Sequence, residues 1–236
     1  MTGIVKLLLW ALIIVIVIAG LAAWLLPTQG VNTRPRDLRV IDWINHPENH
    51  PDWMMTAGKR CGQAPFQFPT DGFIGYLWDD SFRPGHRHQG IDIFGGGQPG
   101  DTAVYAAASG YLTRRMDWKS SVIVRIPDDP LHPGRQIWTY YTHIADPDGN
   151  SIISSDFPPG TTEEYIEAGT LLGYQGNYSG TPGQPVGVHL HFSIVLDDGQ
   201  GKYKNELLIE NTIDPSPYLG IELNAHHNSG EIPLCP

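Results

Sequence analysis

Val188-His189-Leu190-His191-Phe192-Ser193-Ile194-Val195-Leu196 is the stretch on which the reading of this chain turns. It holds nine residues without Gly or Pro, rich in β-branched and aromatic side chains, and so predicts a strand. On a strand, side chains two apart share a face, so His189 and His191 project together while Leu190 points the other way. Working outward, similar short apolar runs lie between Gly, Pro and Asp clusters. They predict strands at Phe73–Trp78, Ile91–Phe94, Ala103–Ala107, Gly110–Arg115, Ser121–Ile126, Gln136–Ile144 and Thr170–Gln175. Regular spacing with turn signals between them predicts a mostly β fold, an antiparallel sandwich or barrel-like domain.

Composition agrees. Of 236 residues 27 are Gly and 20 Pro, too many helix breakers for a helical bundle. With 41% hydrophobic and 10% aromatic residues the chain can bury a core, which excludes wholesale disorder. A formal charge of -10 argues against nucleic acid as a partner, since polyanion binding needs a Lys/Arg excess. Two cysteines cannot make a four-cysteine zinc site. Ten histidines, against 15 Lys and Arg together, raise the question of metal.

Three histidine segments carry candidate chemistry. A His-x-His pair on a strand can supply one or two ligands to a zinc ion, or be structural. In His88-Gln89-Gly90-Ile91-Asp92 the Gly and the β-branched neighbour make a helix improbable. A straight strand would part His88 and Asp92 by about 13 Å, too far for shared ligation. If both bind one ion the chain bends between them, and Gly90 permits it. His143 ends the strand-like run Trp138-Thr139-Tyr140-Tyr141-Thr142. Tyr140 and Tyr141 alternate faces, so one can line a groove while the other packs.

Taken in order, HQGIDI, PGDTAVYAAASGYL, YYTHI, EAGTLLGYQGNYSG, GVHLHFSI and the closing DPSPYL resemble the LytM/lysostaphin-type zinc metallopeptidases, which cut peptide cross-links in bacterial cell walls. The resemblance runs from about Phe73 to Leu219. It implies a LytM-type peptidase domain over residues 61–236, with His88, Asp92 and His191 as ligands of Zn²⁺ and His143 and His189 as the catalytic pair beside the metal. Two departures are peripheral: the stretch from Ala145 to Tyr165 is long, and His86 is an extra imidazole two residues before the first ligand.

Two imidazoles and one carboxylate leave a coordination position open, the pattern of a catalytic zinc, which acidifies water and polarises a carbonyl. No His-Glu-x-x-His motif is present, so the general base must come from elsewhere. Histidine suits that task. His189 is expected to take the proton while His143 donates to the developing oxyanion, or the two exchange roles. Spacing alone also allows His189 as a ligand; the resemblance assigns it to catalysis. The expected activity is a zinc metalloendopeptidase cleaving cross-links or stem peptides of peptidoglycan. The alternative is a catalytically silent LytM-like domain that binds the wall or activates another hydrolase, and a regulatory partner is not identified by the sequence.

Residues 7–26, LLLWALIIVIVIAGLAAWLL, form twenty positions without a charge, about the 30 Å of a bilayer core. The reading is a single-pass anchor over 1–27, with a long signal peptide as the rival. A polar, Pro-containing linker follows over 28–60, with a short helix around Leu38–Ile44. Lys6 before the span and Arg34, Arg36 and Arg39 after it would place the remainder in the cytoplasm by charge. A wall substrate requires the opposite, a domain outside the cytoplasm. There Cys61 and Cys235 could pair and tie the C-terminus to the domain entrance; otherwise they are separate thiols.

Overall fold

The computed structural model describes residues 35–81, 85–228 and 230–236. The run 7–26, read as a membrane anchor, lies outside the described residues. Among the described residues no helix is long and apolar enough to cross a membrane. Residues 35–236 form one compact unit, so the polar segment read as a linker joins that unit from Pro35 onward.

Helix α1, Pro35–Asn45, opens with Pro where an N–H would go unbonded, and carries Asp37 in its first turn. Val40 and Trp43, three apart and so on one face, are its buried residues. They pack on Phe73 and Phe94, and the Trp43 indole N–H donates to the Phe94 carbonyl at 2.9 Å. Arg36 meets Asp80 at 3.1 Å and donates to Asn228 Oδ1 at 3.3 Å, while Arg39 donates to the Gly230 carbonyl. Two of the arginines that weighed on membrane orientation, Arg36 and Arg39, thus tie the helix to the C-terminal tail. Two short 3₁₀ turns, Pro47–Asn49 and Pro51–Trp53, lead into the sheet.

The strands are β1 Met54–Met55, β2 Gly72–Tyr76, β3 Ile91–Phe94, β4 Ala103–Tyr105, β5 Gly110–Thr113, β6 Val122–Ile126, β7 Ile137–Thr142, β8 Glu164–Ile166, β9 Leu171–Tyr174, β10 Leu190–Leu196 and β11 Thr212–Ile213. Every strand pairing is antiparallel, so the mostly β, antiparallel expectation holds. Among the described residues nine strands form one sheet in the order β1-β2-β3-β10-β7-β6-β5-β8, with β11 beside β10, and β4 and β9 form a separate ribbon. A short helix α2, Ser216–Leu219, buries Tyr218 and Leu219.

Strand β10 is the hinge of the arrangement. It pairs with β7 along one side and with β3 and then β11 along the other. Leu190, Phe192 and Ile194 face the main core with Ile91, Ile93, Tyr141 and the ribbon residues Val104 and Leu172. The alternate positions face the other way, and there the register sets Asp92, His191 and Thr142 side by side. A one-residue slip of β10 would turn both histidines into the core. The stretch from Ala145 to Tyr165 is folded onto the domain: Ile153 and Phe157 enter the core and β8 begins at Glu164. The disulfide between Cys61 and Cys235, Cα atoms 5.2 Å apart, ties the chain end to the start of this body.

Candidate metal centre

Register brings Asp92 and His191 together, and a bend at Gly90 adds His88. The bend does not need a left-handed φ; glycine is required there for space. A Cβ at position 90 would lie 2.2 Å from the Phe192 carbonyl oxygen. With the chain pressed against β10, His88 sits in the loop beside Asp79 and Asp80, donating its backbone N–H to the Asp80 carbonyl at 2.7 Å.

Three donor atoms then converge. His88 Nε2 is 3.1 Å from Asp92 Oδ1 and 3.0 Å from His191 Nδ1, and His191 Nδ1 is 2.9 Å from Asp92 Oδ1. The other nitrogen of His88, Nδ1, donates its N–H to the Leu77 carbonyl at 2.9 Å, so Nε2 of the neutral ring presents a lone pair. Three electron-rich atoms packed this closely require a cation among them, either a proton or a metal ion. Four-coordinate zinc with bonds near 2.1 Å sets neighbouring donors about 3.4 Å apart, a small expansion of this triangle. The N, N, O donor set suits zinc and other first-row divalent ions, so the residues fit the group.

Two more imidazoles flank the triangle. Strand β7 ends at Thr142, and His143 takes a left-handed φ of 71° that breaks the strand alternation. Its Nδ1 meets the Tyr178 carbonyl at 2.7 Å. His189 bridges to Gly176, which lies so close to Ala145 that a Cβ there would be 2.1 Å from its carbonyl oxygen. His189 Nδ1 meets the Gly187 carbonyl at 2.6 Å. In both rings the carbonyl fixes the proton on Nδ1 and leaves Nε2 unprotonated. His189 Nε2 lies 3.6 Å from Asp92 Oδ1, and the His143 and His189 rings are 4.4 Å apart between centroids.

Burial sets the electrostatics. It would raise the Asp92 carboxyl, but His88 and His189 hold it well below the usual carboxylate range. Burial would lower His88, yet Asp92 outweighs it and the imidazole is raised. Burial lowers His143 and His191, and pushes His189 down to about 3. At neutral pH His143 and His189 are therefore bases rather than cations.

The five residues singled out in the sequence thus meet at the floor of an open cleft of about 920 Å³. Of the tyrosine pair, Tyr140 lines this cleft, its hydroxyl 2.9 Å from Ser121 Oγ, while Tyr141 is buried and accepts the Ala107 N–H at 2.8 Å. Residues 145–165 contribute nothing to the lining. They support it instead: Gly149 is positioned so that a Cβ would be 2.9 Å from the Tyr178 ring. His86 does line the cleft. Sequence reasoning missed one wall, supplied by Val40, Ile41 and Ile44 of α1, because that helix lies outside every recognisable motif. Among the described residues a second group, Asp214, Glu222 and His227, also comes together, but its carboxylates are taken up by Ser216 and Asn224.

No protein-family model and no curated protein sequence matches the chain. Solved structures do align with it. The catalytic domain of the antimicrobial peptidase lysostaphin from Staphylococcus simulans is 20% identical, over 63% of this chain and 90% of that one, with a TM-score of 0.39. A putative glycyl-glycine endopeptidase lytM from Ruminococcus gnavus is 24% identical, over 55% of this chain and 45% of that one, at 0.37. The catalytic domain of the prophage-encoded M23 protein EnpA from Enterococcus faecalis, in a mutant form, is 17% identical, over 63% and 95%, at 0.38. The chain is similar to lysostaphin and LytM peptidase domains, and its match to the antimicrobial peptidase lysostaphin covers 59% of that chain.

Proposed function

We propose that this chain is a zinc metalloendopeptidase that cleaves cross-links or stem peptides of bacterial peptidoglycan. The observation that carries the reading is the convergence of His88 Nε2, Asp92 Oδ1 and His191 Nδ1 within 2.9–3.1 Å, with two proton-locked imidazoles beside them at the floor of a cleft.

His88, Asp92 and His191 would hold the ion. Bound there, zinc supplies Lewis acidity, polarising a carbonyl and acidifying water. The remaining chemistry falls to the chain. His189, with its proton fixed on Nδ1 by the Gly187 carbonyl, takes a proton at Nε2. His143, fixed in the same way by the Tyr178 carbonyl, is also a base at rest. It becomes a donor at Nε2 only after gaining a proton, so the two rings can exchange the proton roles. Tyr178, whose ring rests on residue 149, keeps His143 oriented. Tyr140, Ser121 and Thr142 form a hydroxyl chain along one wall, with links of 2.9 and 2.7 Å, suited to hydrogen-bonding a peptide backbone.

The same reading places the domain outside the cytoplasm, held at the membrane through residues 7–26. A disulfide between Cys61 and Cys235 supports that placement, since structural disulfides persist in oxidising compartments. The test is digestion of purified wall material by the zinc-loaded chain, with released peptides weighed by mass spectrometry. Release of muropeptide fragments, abolished by a chelator and restored by zinc, is expected. Tight zinc-independent retention on the wall with no released peptide would point to a silent wall-binding domain instead.

A further inference from the structure

Helix α1 presents two apolar faces. Val40 and Trp43 dock into the domain, whereas the neighbouring stripe of Ile41 and Ile44 is about half exposed, at 51% and 47%. That stripe opens into the cleft beside the reacting groups. Ile44 Cδ1 lies 3.2 Å from where a Cβ of Gly187 would stand, and the Phe94 ring lies 3.3 Å from the same point. Gly187 is the residue whose carbonyl orients His189, and the Phe94 ring stacks on the His189 ring at 5.0 Å and 23°. An unbroken apolar surface therefore runs from Ile41 and Ile44 across Gly187 and Phe94 to His189, with Val186, 39% exposed, at its rim. The opposite wall is polar, formed by Ser121, Tyr140 and Thr142.

The helix is a fixed wall rather than a lid. Trp43 is 1% exposed and bonded to the Phe94 carbonyl, and Arg36 reaches Asp80 beside the His88 loop. A peptide lying across the ion site with its backbone on the hydroxyl wall would turn one neighbouring side chain onto this surface. Glycine would leave it wet; an aliphatic side chain would cover it.

We infer that Ile41 and Ile44 form a selectivity wall for an aliphatic side chain next to the scissile bond, so that the preferred substrate is a peptide with an aliphatic residue there rather than glycine on both sides. This rests on the peptidase reading above. An apolar subsite of this kind discriminates by about 10- to 200-fold.

The experiment uses the full-length zinc-loaded chain and three internally quenched peptides that differ only in a central Gly-Gly, Gly-Leu or Leu-Gly. One leucine peptide should exceed the glycine peptide in kcat/KM by at least about tenfold. Ile44→Ser should bring that ratio to within about twofold of unity, and Ile41→Ser should lower it partway. Because each ratio is measured within one protein, partial unfolding of a variant leaves it unchanged. If both the peptides and purified wall stay uncut, the peptidase reading fails and the inference with it. If either is cut but leucine has no advantage, or the advantage survives Ile44→Ser, the selectivity wall alone is overturned.

Discussion

Gly90 and Phe192 are in backbone contact: a Cβ at position 90 would lie 2.2 Å from the Phe192 carbonyl oxygen and 2.9 Å from the Ser193 Cβ. This contact holds the segment bearing His88 and Asp92 against the strand bearing His191. Gly90→Ala should push the two apart, lowering stability by about 3 kcal/mol and zinc affinity by at least about tenfold. Urea unfolding and calorimetric titration with zinc measure the two effects. Gly134→Ala is the control, since its φ of 84° is strained for alanine but nothing lies within 4 Å of the new Cβ. It should cost about 1 kcal/mol and leave zinc affinity unaltered.

The roles of His191 and His189, two residues apart on the same strand face, should separate on substitution. His191→Ala removes a donor from the triangle, so both metal content and wall digestion are expected to vanish. His189→Ala should retain the ion while turnover falls by about 10²- to 10⁴-fold, the usual worth of a general base. Elemental analysis of the purified variants decides the matter: an empty site in His189→Ala would make that residue a ligand.

Asp129 is fully buried and accepts hydrogen bonds from the Leu131 N–H at 2.9 Å, Arg135 at 2.7 Å and the Tyr218 hydroxyl at 2.8 Å. Burial would raise its carboxyl, but these bonds outweigh it and hold the pKa below the usual value. A folded-state pKa below the unfolded one gives stability that is complete above about pH 4 and fades as pH falls through the folded value. Asp129→Asn should therefore cost about 1–3 kcal/mol at pH 7. In urea titrations across pH the gap between the two proteins should close below about pH 4.

The Cys61–Cys235 bridge spans 174 residues of sequence. Closing so long a loop restricts the unfolded chain, and losing the bridge should cost about 2–5 kcal/mol. A reducing agent should lower the melting temperature of the native chain to that of the Cys61→Ala/Cys235→Ala double variant, and leave the variant unmoved.

Much of the site was legible through the resemblance that joins its separate motifs, and spacing added two pieces of strand geometry. Alternation in Val188–Leu196 puts His189 and His191 on a shared face, and the incompatibility of His88 and Asp92 with a straight strand requires the bend seen at Gly90. The reason for that glycine was not legible, since a contact with Phe192 a hundred residues away leaves no local signal. Nor was the lodging of α1. Its sequence is polar on average, and only the docked Val40 and Trp43 distinguish it from a solvated helix. Strand β8 reads as part of a long loop because Glu164 and Tyr165 are exposed, and only Ile166 is buried.

The grip of α1 on both the cleft and the chain end has a bearing on where the folded unit begins. Arg36 and Arg39 hold Asn228 and Gly230, and Ile232 packs on the cluster around Trp43. A protease nick or a recombination joint in the Pro-rich turns at 46–51 would leave every histidine of the site in place. Loss of α1 after such a break would nonetheless strip one side from the cleft and free the tail from Arg36 and Arg39. A piece starting at Cys61 would keep all five residues of the candidate metal centre and lose the apolar wall that Ile41 and Ile44 lend the cleft.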